Sequence, residues 1–284
     1  MVKIEHYTKA VRLKFTLLIS LLIVGSISVV GQEEKNKSDV GSISTDRPVQ
    51  SESPTTVPKK YLQFEMGGQY TLGIANEPVT KNEAYNGNIL IKYGLFESME
   101  LRLSTNYIQQ NETTQDFFIV PPEDEERTIS GMDAPVLGFK FKVLNEEGWK
   151  PNITYSIQSQ VPIWGEEEFK NDGQNFLNRL TFGKTLIGNW YGIVGVEYGY
   201  KPTTDDHVFY VVQTGYTFFS KLTAVIEFYG YNEVNSEKST DALNYALVYQ
   251  LNDNHQVDLS GGNGLSDNFY DYYMAIGYSF RFHH

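Results

Sequence analysis

The sequence predicts an all-β protein, a transmembrane antiparallel up-and-down β-barrel of about 12 strands, and two observations predict it. From Tyr61 onward apolar and polar residues alternate with a period of two, which is typical of strands with two different faces. Most of the alternating stretches run for roughly 10–13 residues, enough for a tilted strand to cross a bilayer. The alternative is a soluble sandwich or lipocalin-like barrel, whose strands would be shorter and whose apolar face would point inward.

The first 31 residues are predicted to be a signal peptide. Residues 1–14 contain four cations and one acid, and an apolar run follows from Phe15 to Val30. This is the layout of a secretory signal, with cleavage expected after Gly31. A permanent anchor helix is the alternative, but it needs about 20 apolar residues. Cleavage removes four cations and one acid, so the formal net charge of −12 becomes −15.

Residues 32–60 are rich in Ser, Thr, Pro and charge, and they predict a flexible periplasmic N-terminal segment. Asp46, Arg47 and Glu52 carry charge in this segment. We predict that residues 43–58 fold back through these three side chains and partly plug or brace the periplasmic mouth of the barrel. The alternative is a disordered leader that only precedes the barrel.

Residues 61–284 form the predicted barrel. An even number of strands places both termini on the periplasmic side. Tight turns are predicted to alternate with longer connections, as in outer-membrane barrels. The longer connections are expected at 76–84, 110–133, 165–173, 202–206, 232–240 and 262–268. The predicted strands lie at 62–72, 89–95, 99–107, 137–143, 153–163, 176–186, 190–198, 208–218, 222–228, 243–251, 257–259 and 272–282.

The two faces of each strand differ in chemistry. One face is apolar and carries aromatic residues near the strand ends, as a lipid-facing surface with interfacial girdles requires. The other face is polar and charged, and we predict that it lines the lumen and sets solute selectivity. The predicted lumen residues are Glu65, Lys92, Glu100, Arg102, Lys140, Arg179, Glu197 and Glu227.

Composition excludes several other classes. The chain has no cysteine, which excludes disulfide scaffolds and thiolate metal sites. Its acidity argues against nucleic acid as a partner, and a mean hydropathy of −0.36 excludes a multi-helix membrane protein. A lipid hydrolase needs a nucleophile, a base and an orienting group, but we interpret His207 as a solvated residue at a loop edge. We therefore predict no enzyme activity, no cofactor and no metal site.

Two segments resemble a known family. Ser44-Thr45-Asp46-Arg47-Pro48, followed by Tyr61-Leu62-Gln63-Phe64-Glu65, is similar to the opening of outer-membrane barrels named for the MetA pathway of phenol degradation. The final strand resembles the aromatic signal read by the barrel-insertion machinery, through Tyr278, Phe280 and Phe282, although His283 and His284 follow it. The resemblance implies a location in the bacterial outer membrane and uptake of small molecules.

Together these features predict a narrow passive channel for small solutes, aromatic or hydrophobic ones among them. Its expected partners are outer-membrane lipid, the insertion machinery and the solute, and its oligomeric state is left open. The alternative is a non-conducting structural or adhesion barrel whose lumen is filled by ion pairs.

Overall fold

The computed structural model describes residues 40–76, 79–116, 123–161, 164–169, 175–201, 205–235, 239–266 and 270–284. The chain divides into two units, Met1–Val40 and Gly41–His284, and the second unit contains the β-sheet. The predicted signal peptide, residues 1–31, lies outside the described residues. Among the described residues, no helix is long and apolar enough to cross a membrane.

The described residues contain thirteen β-strands and one short 3-10 helix, Glu167–Phe169. The strands are β1 (Tyr61–Asn76), β2 (Val79–Phe96), β3 (Met99–Asp116), β4 (Glu123–Met132), β5 (Val136–Leu144), β6 (Asn152–Gln160), β7 (Phe176–Ile187), β8 (Trp190–Tyr200), β9 (His207–Phe218), β10 (Leu222–Glu233), β11 (Ser239–Asn252), β12 (His255–Gly264) and β13 (Tyr272–His283).

The strands form one closed antiparallel sheet with twelve positions. Closure comes from β1, which pairs with both β2 and β13. Strand β3 pairs with β5 over 99–104 and with β4 over 107–116, so β4 and β5 share one position in the barrel. Pro135 lies in the break between them, since proline has no N–H to donate to a strand ladder. The predicted all-β, antiparallel, twelve-strand barrel is thus confirmed.

Two of the expected loops are wrong. Residues 110–116 continue β3 and Glu123–Met132 form β4, where a single loop at 110–133 was expected. Similarly, β1 runs to Asn76 and β2 begins at Val79, within the expected loop 76–84. Pattern reading missed these parts because they are polar on both faces: the strands extend past the apolar band, so alternation no longer marks them.

Strands alternate between an exposed apolar face and a buried polar one. In β13, Met274 and Ile276 are 60% and 65% exposed, whereas Ser279 is completely buried. Because the barrel is closed, the buried face points into the lumen and the exposed face points outward. Tight connections such as 97–98, 188–189 and 253–254 lie at one end of the barrel, called the turn end below, where β1 begins and β13 finishes.

Candidate functional site in the barrel lumen

The predicted lumen residues all lie on the buried face. Arg179 keeps 12% of its side chain exposed, and the other seven are buried. The structure brings them together in two groups rather than one. The first contains Glu65, Lys92, Glu100, Arg102 and Lys140 on adjacent strands β1, β2, β3 and β5, and the second contains Arg179, Glu197 and Glu227 on β7, β8 and β10.

The first group is a charged patch built by strand register. Lys92 lies opposite Arg102, and Glu100 lies opposite Lys140. Lys92 Nζ pairs with the Glu65 carboxylate at 2.5 Å, and Arg102 pairs with Glu100 at 3.3 Å. We call Lys92, Arg102 and Lys140 the cation cluster. The wall thus supplies three cations but only two carboxylates in this patch.

Residues 41–60, which we call the lumen segment, lie inside the barrel near its turn end. The Ile43 N–H donates to the Asp253 carbonyl at 2.7 Å, where the segment begins. It returns to the wall at Val57, whose N–H donates to Glu100 at 2.6 Å, and Lys60 N–H donates to the Gly94 carbonyl at 2.8 Å. Between these points the segment contacts the wall on both sides of the lumen.

Asp46 and Glu52 of the lumen segment bind the cation cluster. The Asp46 carboxylate lies 2.8 Å from Arg102, 3.2 Å from Lys140 and 3.4 Å from Lys92. Glu52 lies 3.2 Å from Arg102 and 3.5 Å from Lys140. Among the described residues, Lys140 therefore forms ion pairs with the segment and none with the wall.

These cations change the titration of both segment carboxyls. Burial by itself would raise the pKa of Asp46, but Lys140, Lys92 and Arg102 hold that pKa well below its usual value of 3.8. Burial also opposes ionisation of Glu52, yet Arg102 and Lys140 lower its pKa from the usual 4.5. Both groups are thus ionised at neutral pH.

Arg47 binds the wall next to this patch. Its guanidinium pairs with Asp258 at 3.1 Å and donates to Asn88 Oδ1 at 2.9 Å. The space for it comes from Gly67 and Gly277, which face each other across β1 and β13, because a Cβ on either would overlap the guanidinium. Glycine at these two positions permits the close approach of the segment to the wall.

Two more inward glycines touch the lumen segment. A Cβ on Gly183 would overlap the Pro54 ring, and one on Gly94 would overlap the Pro58 carbonyl. The segment therefore fits the wall by shape as well as by charge.

The second charged group holds the middle of the segment from the opposite wall. Glu227 accepts from the N–H groups of Gln50 and Ser51, both at 2.8 Å. Arg179 pairs with Glu197 at 2.9 Å and donates to the Gln50 carbonyl at 2.8 Å. Buried backbone groups of the segment thereby find the partners that burial requires.

Sequence reasoning missed Asp258 and misjudged His207. Asp258 lies between the apolar residues Val257 and Leu259, and this alternation indicates that its side chain points into the lumen. The signal was missed because the strand is rich in glycine and alternates only weakly. His207 is buried rather than solvated, with Nε2 3.6 Å from Glu197, because Gly199 on the neighbouring strand leaves room for the imidazole. Within the described residues, no group of three His, Asp or Glu is arranged to hold a metal ion.

A cavity of about 310 Å³ lies between the lumen segment and the wall of β6–β12. Its lining is mixed, with Thr45 and Ser51 from the segment and Gln213, Gln256 and Lys184 from the wall. The segment therefore occupies part of the lumen, and both polar and apolar side chains line the remaining space at this depth.

A family model covers most of the chain. The model described as "Putative MetA-pathway of phenol degradation" matches residues 45–282, which includes Asp46, Arg47 and Glu52 as well as the barrel. No curated protein matches the sequence.

Solved structures share the fold at low identity. An outer membrane channel from Pseudomonas putida F1 matches with a TM-score of 0.60 at 11% identity, over 88% of this chain and 100% of that one. The KdgM porin matches with a TM-score of 0.51 at 10% identity, over 78% and 99% of the two chains. The NanC porin gives 0.51 at 12% identity, over 76% and 98%. The shared architecture is that of outer-membrane channels and porins.

Proposed function

We propose that this chain, which belongs to the family described as "Putative MetA-pathway of phenol degradation", is a narrow passive channel of the bacterial outer membrane. It would admit small solutes, aromatic or hydrophobic ones among them. The observation that carries this proposal is the buried, charged inner face of a closed barrel whose outer face is apolar. Lipid covers the outer face, and Tyr278, Phe280 and Phe282 serve insertion.

The strand number supports a narrow passage. Barrels of eight strands have an interior filled by side chains, whereas sixteen strands leave an aqueous channel, so twelve is intermediate. In such a lumen the charged side chains lie close to any passing solute. Selectivity is assigned to Glu65, Lys92, Glu100, Arg102, Lys140, Arg179, Glu197 and Glu227.

The lumen segment is proposed to act as a plug over residues 43–58. Asp46, Arg47 and Glu52 each form an ion pair with a wall residue, at 2.8–3.2 Å for the shortest contact of each. Glu227 and Arg179 hold the backbone of the segment from the other side. The plug narrows the lumen at the turn end, which faces the periplasm in this proposal.

Charge reversal at Lys140 tests the channel proposal. Refolded protein in planar bilayers is compared with Lys140→Glu, and the reversal potential is measured in a salt gradient. Because Lys140 is buried in the lumen, Lys140→Glu shifts the selectivity toward cations. Lys221→Glu makes the same charge change at an exposed turn and is the matched control. Equal shifts in the two variants, or none in either, would contradict the assignment of Lys140 to the conducting path.

The second candidate function is a non-conducting structural or adhesion barrel. The ion pairs between the lumen segment and the wall favour it, because they fill much of the lumen at the turn end. The two candidates differ in one result. A structural barrel stays closed in bilayers even after the lumen segment has been deleted, whereas a plugged channel then conducts.

A further inference from the structure

The cation cluster has the composition of a carboxylate-binding site. Lys92, Arg102 and Lys140 come from three different strands and converge on one carboxylate, that of Asp46, at 2.8–3.4 Å. We propose that these three residues form a binding subsite for a small carboxylate anion, which the chain's own Asp46 and Glu52 occupy in this structure. The proposal rests on the proposed function, because it names the class of solute that the lumen recognises.

The wall alone leaves this site short of negative charge. Glu65 pairs with Lys92 and Glu100 pairs with Arg102, but within the described part of the chain Lys140 forms no ion pair with a wall carboxylate. When Asp46 and Glu52 leave, Lys140 and Arg102 are open to the lumen and attract a free carboxylate, because charge-assisted hydrogen bonds between such cations and a carboxylate are strong. Free carboxylates in solution have the same charged group as the two segment residues.

The donors of the site are suited to more than one carboxylate. Arg102 contacts Asp46 through Nη2 and Glu52 through Nη1, and Lys140 contacts both carboxylates. Arginine binds carboxylates through a planar fork of donors, which adds geometric selectivity to charge. The buried Nε of Arg102 has no hydrogen-bond partner among the described residues, and it is a further donor for a ligand oxygen.

Neutral donors complete the site. Gln158 Nε2 donates to Glu52 at 3.0 Å, and the Ser53 N–H donates to Asp46 at 2.7 Å. The first comes from the wall and stays when the segment leaves, whereas the second leaves with it. A solute carboxylate would therefore meet three cations and one amide, and it would compete directly with the segment.

Competition links the solute to opening of the plug. Because the segment and a free carboxylate use the same cations, binding of one favours release of the other. Small organic acids would thus loosen the segment that blocks their own path, and neutral solutes of the same size would not.

Chemical rescue tests the subsite. Asp46→Ala removes a carboxylate group, and acetate supplies the same group as a free ion. Acetate is therefore added at 100 mM to the refolded variant. The unfolding temperature is measured by heat-modifiable gel mobility. We expect acetate to raise that temperature by about 2–4 °C over chloride at equal ionic strength. Acetamide, which has the same shape without the charge, gives no rise. In Asp46→Ala/Lys140→Gln the rise from acetate is lost.

The opposite outcomes overturn the proposal. If acetate, acetamide and chloride have the same effect on Asp46→Ala, the cluster does not bind free carboxylate. Should Asp46→Ala fail to refold, Glu52→Ala is measured in the same way, since Glu52 shares Arg102 and Lys140 with Asp46. The readout needs no conduction, so a barrel that binds acetate yet does not conduct contradicts the channel function while supporting the subsite.

Discussion

Replacing Asp46 by Asn should loosen the lumen segment by about 3 kcal/mol. Removing one partner of a buried ion pair costs about 3–5 kcal/mol. The lower end applies because each cation keeps a carboxylate: Lys92 keeps Glu65, and Arg102 and Lys140 keep Glu52. Asn preserves the size of the side chain, so the cost reports the lost charge.

Cysteine labelling measures this loosening. The chain contains no cysteine, and Ser51 is only 3% exposed inside the lumen. A maleimide therefore reacts with Ser51→Cys only when the segment opens. Since each 1.4 kcal/mol is a factor of ten, Asp46→Asn should speed labelling by about 100-fold.

The control is Glu97→Gln, which removes a carboxylate from an exposed turn at the same end of the barrel and should leave the labelling rate unchanged. If Asp46→Asn labels within about threefold of its parent, the ion pairs of Asp46 do not hold the segment in the lumen.

Two further predictions concern shape and pH. Gly67→Leu should displace Arg47 and raise the rate of Ser51→Cys labelling by about tenfold or more. The control is Gly68→Leu, which lies on the outward face, where an added Cβ meets nothing, and should leave the rate unchanged. Equal labelling rates in the two variants would contradict the fit of Arg47 against Gly67. The pKa values of Asp46 and Glu52 lie below 3.8 and 4.5, so their contribution is complete at neutral pH and is lost as pH falls below those values. Conductance should accordingly stay constant from pH 7 to 5 and rise only in stronger acid, and a rise already near pH 6 would assign the holding charges to other groups.

The alternation of apolar and polar residues along each strand was enough to predict which side chains face the lumen. Side-chain direction in a strand is a local property with a period of two, so Glu65, Lys92 and Lys140 could be placed inward without knowing their neighbours. Their division into two groups could not be predicted from the sequence, because the register between strands depends on pairing across the whole sheet. The sequence pattern also failed to identify the polar ends of β1–β4 as strand, because they lie outside the apolar band and do not alternate between apolar and polar residues.

The path of the lumen segment was also beyond local pattern. Its charges predicted contact with a charged lumen, but Asp46 and Lys140 are distant in sequence and meet only after the barrel has closed. The inward glycines Gly67 and Gly277 gave no signal by themselves, because a glycine in a strand marks a close approach without naming what approaches. Contacts of this kind depend on the tertiary structure rather than on the neighbouring residues.

Deletion of residues 33–57 tests whether the barrel is a channel that the lumen segment plugs. The deletion removes Asp46, Arg47 and Glu52 and keeps every wall residue of the barrel. Refolded wild type and deletion variant are compared by single-channel recording in planar bilayers. A plugged channel predicts a clearly larger conductance and a lower unfolding temperature for the deletion variant. Unchanged conductance together with unchanged thermal stability would show that the segment neither plugs nor braces the barrel.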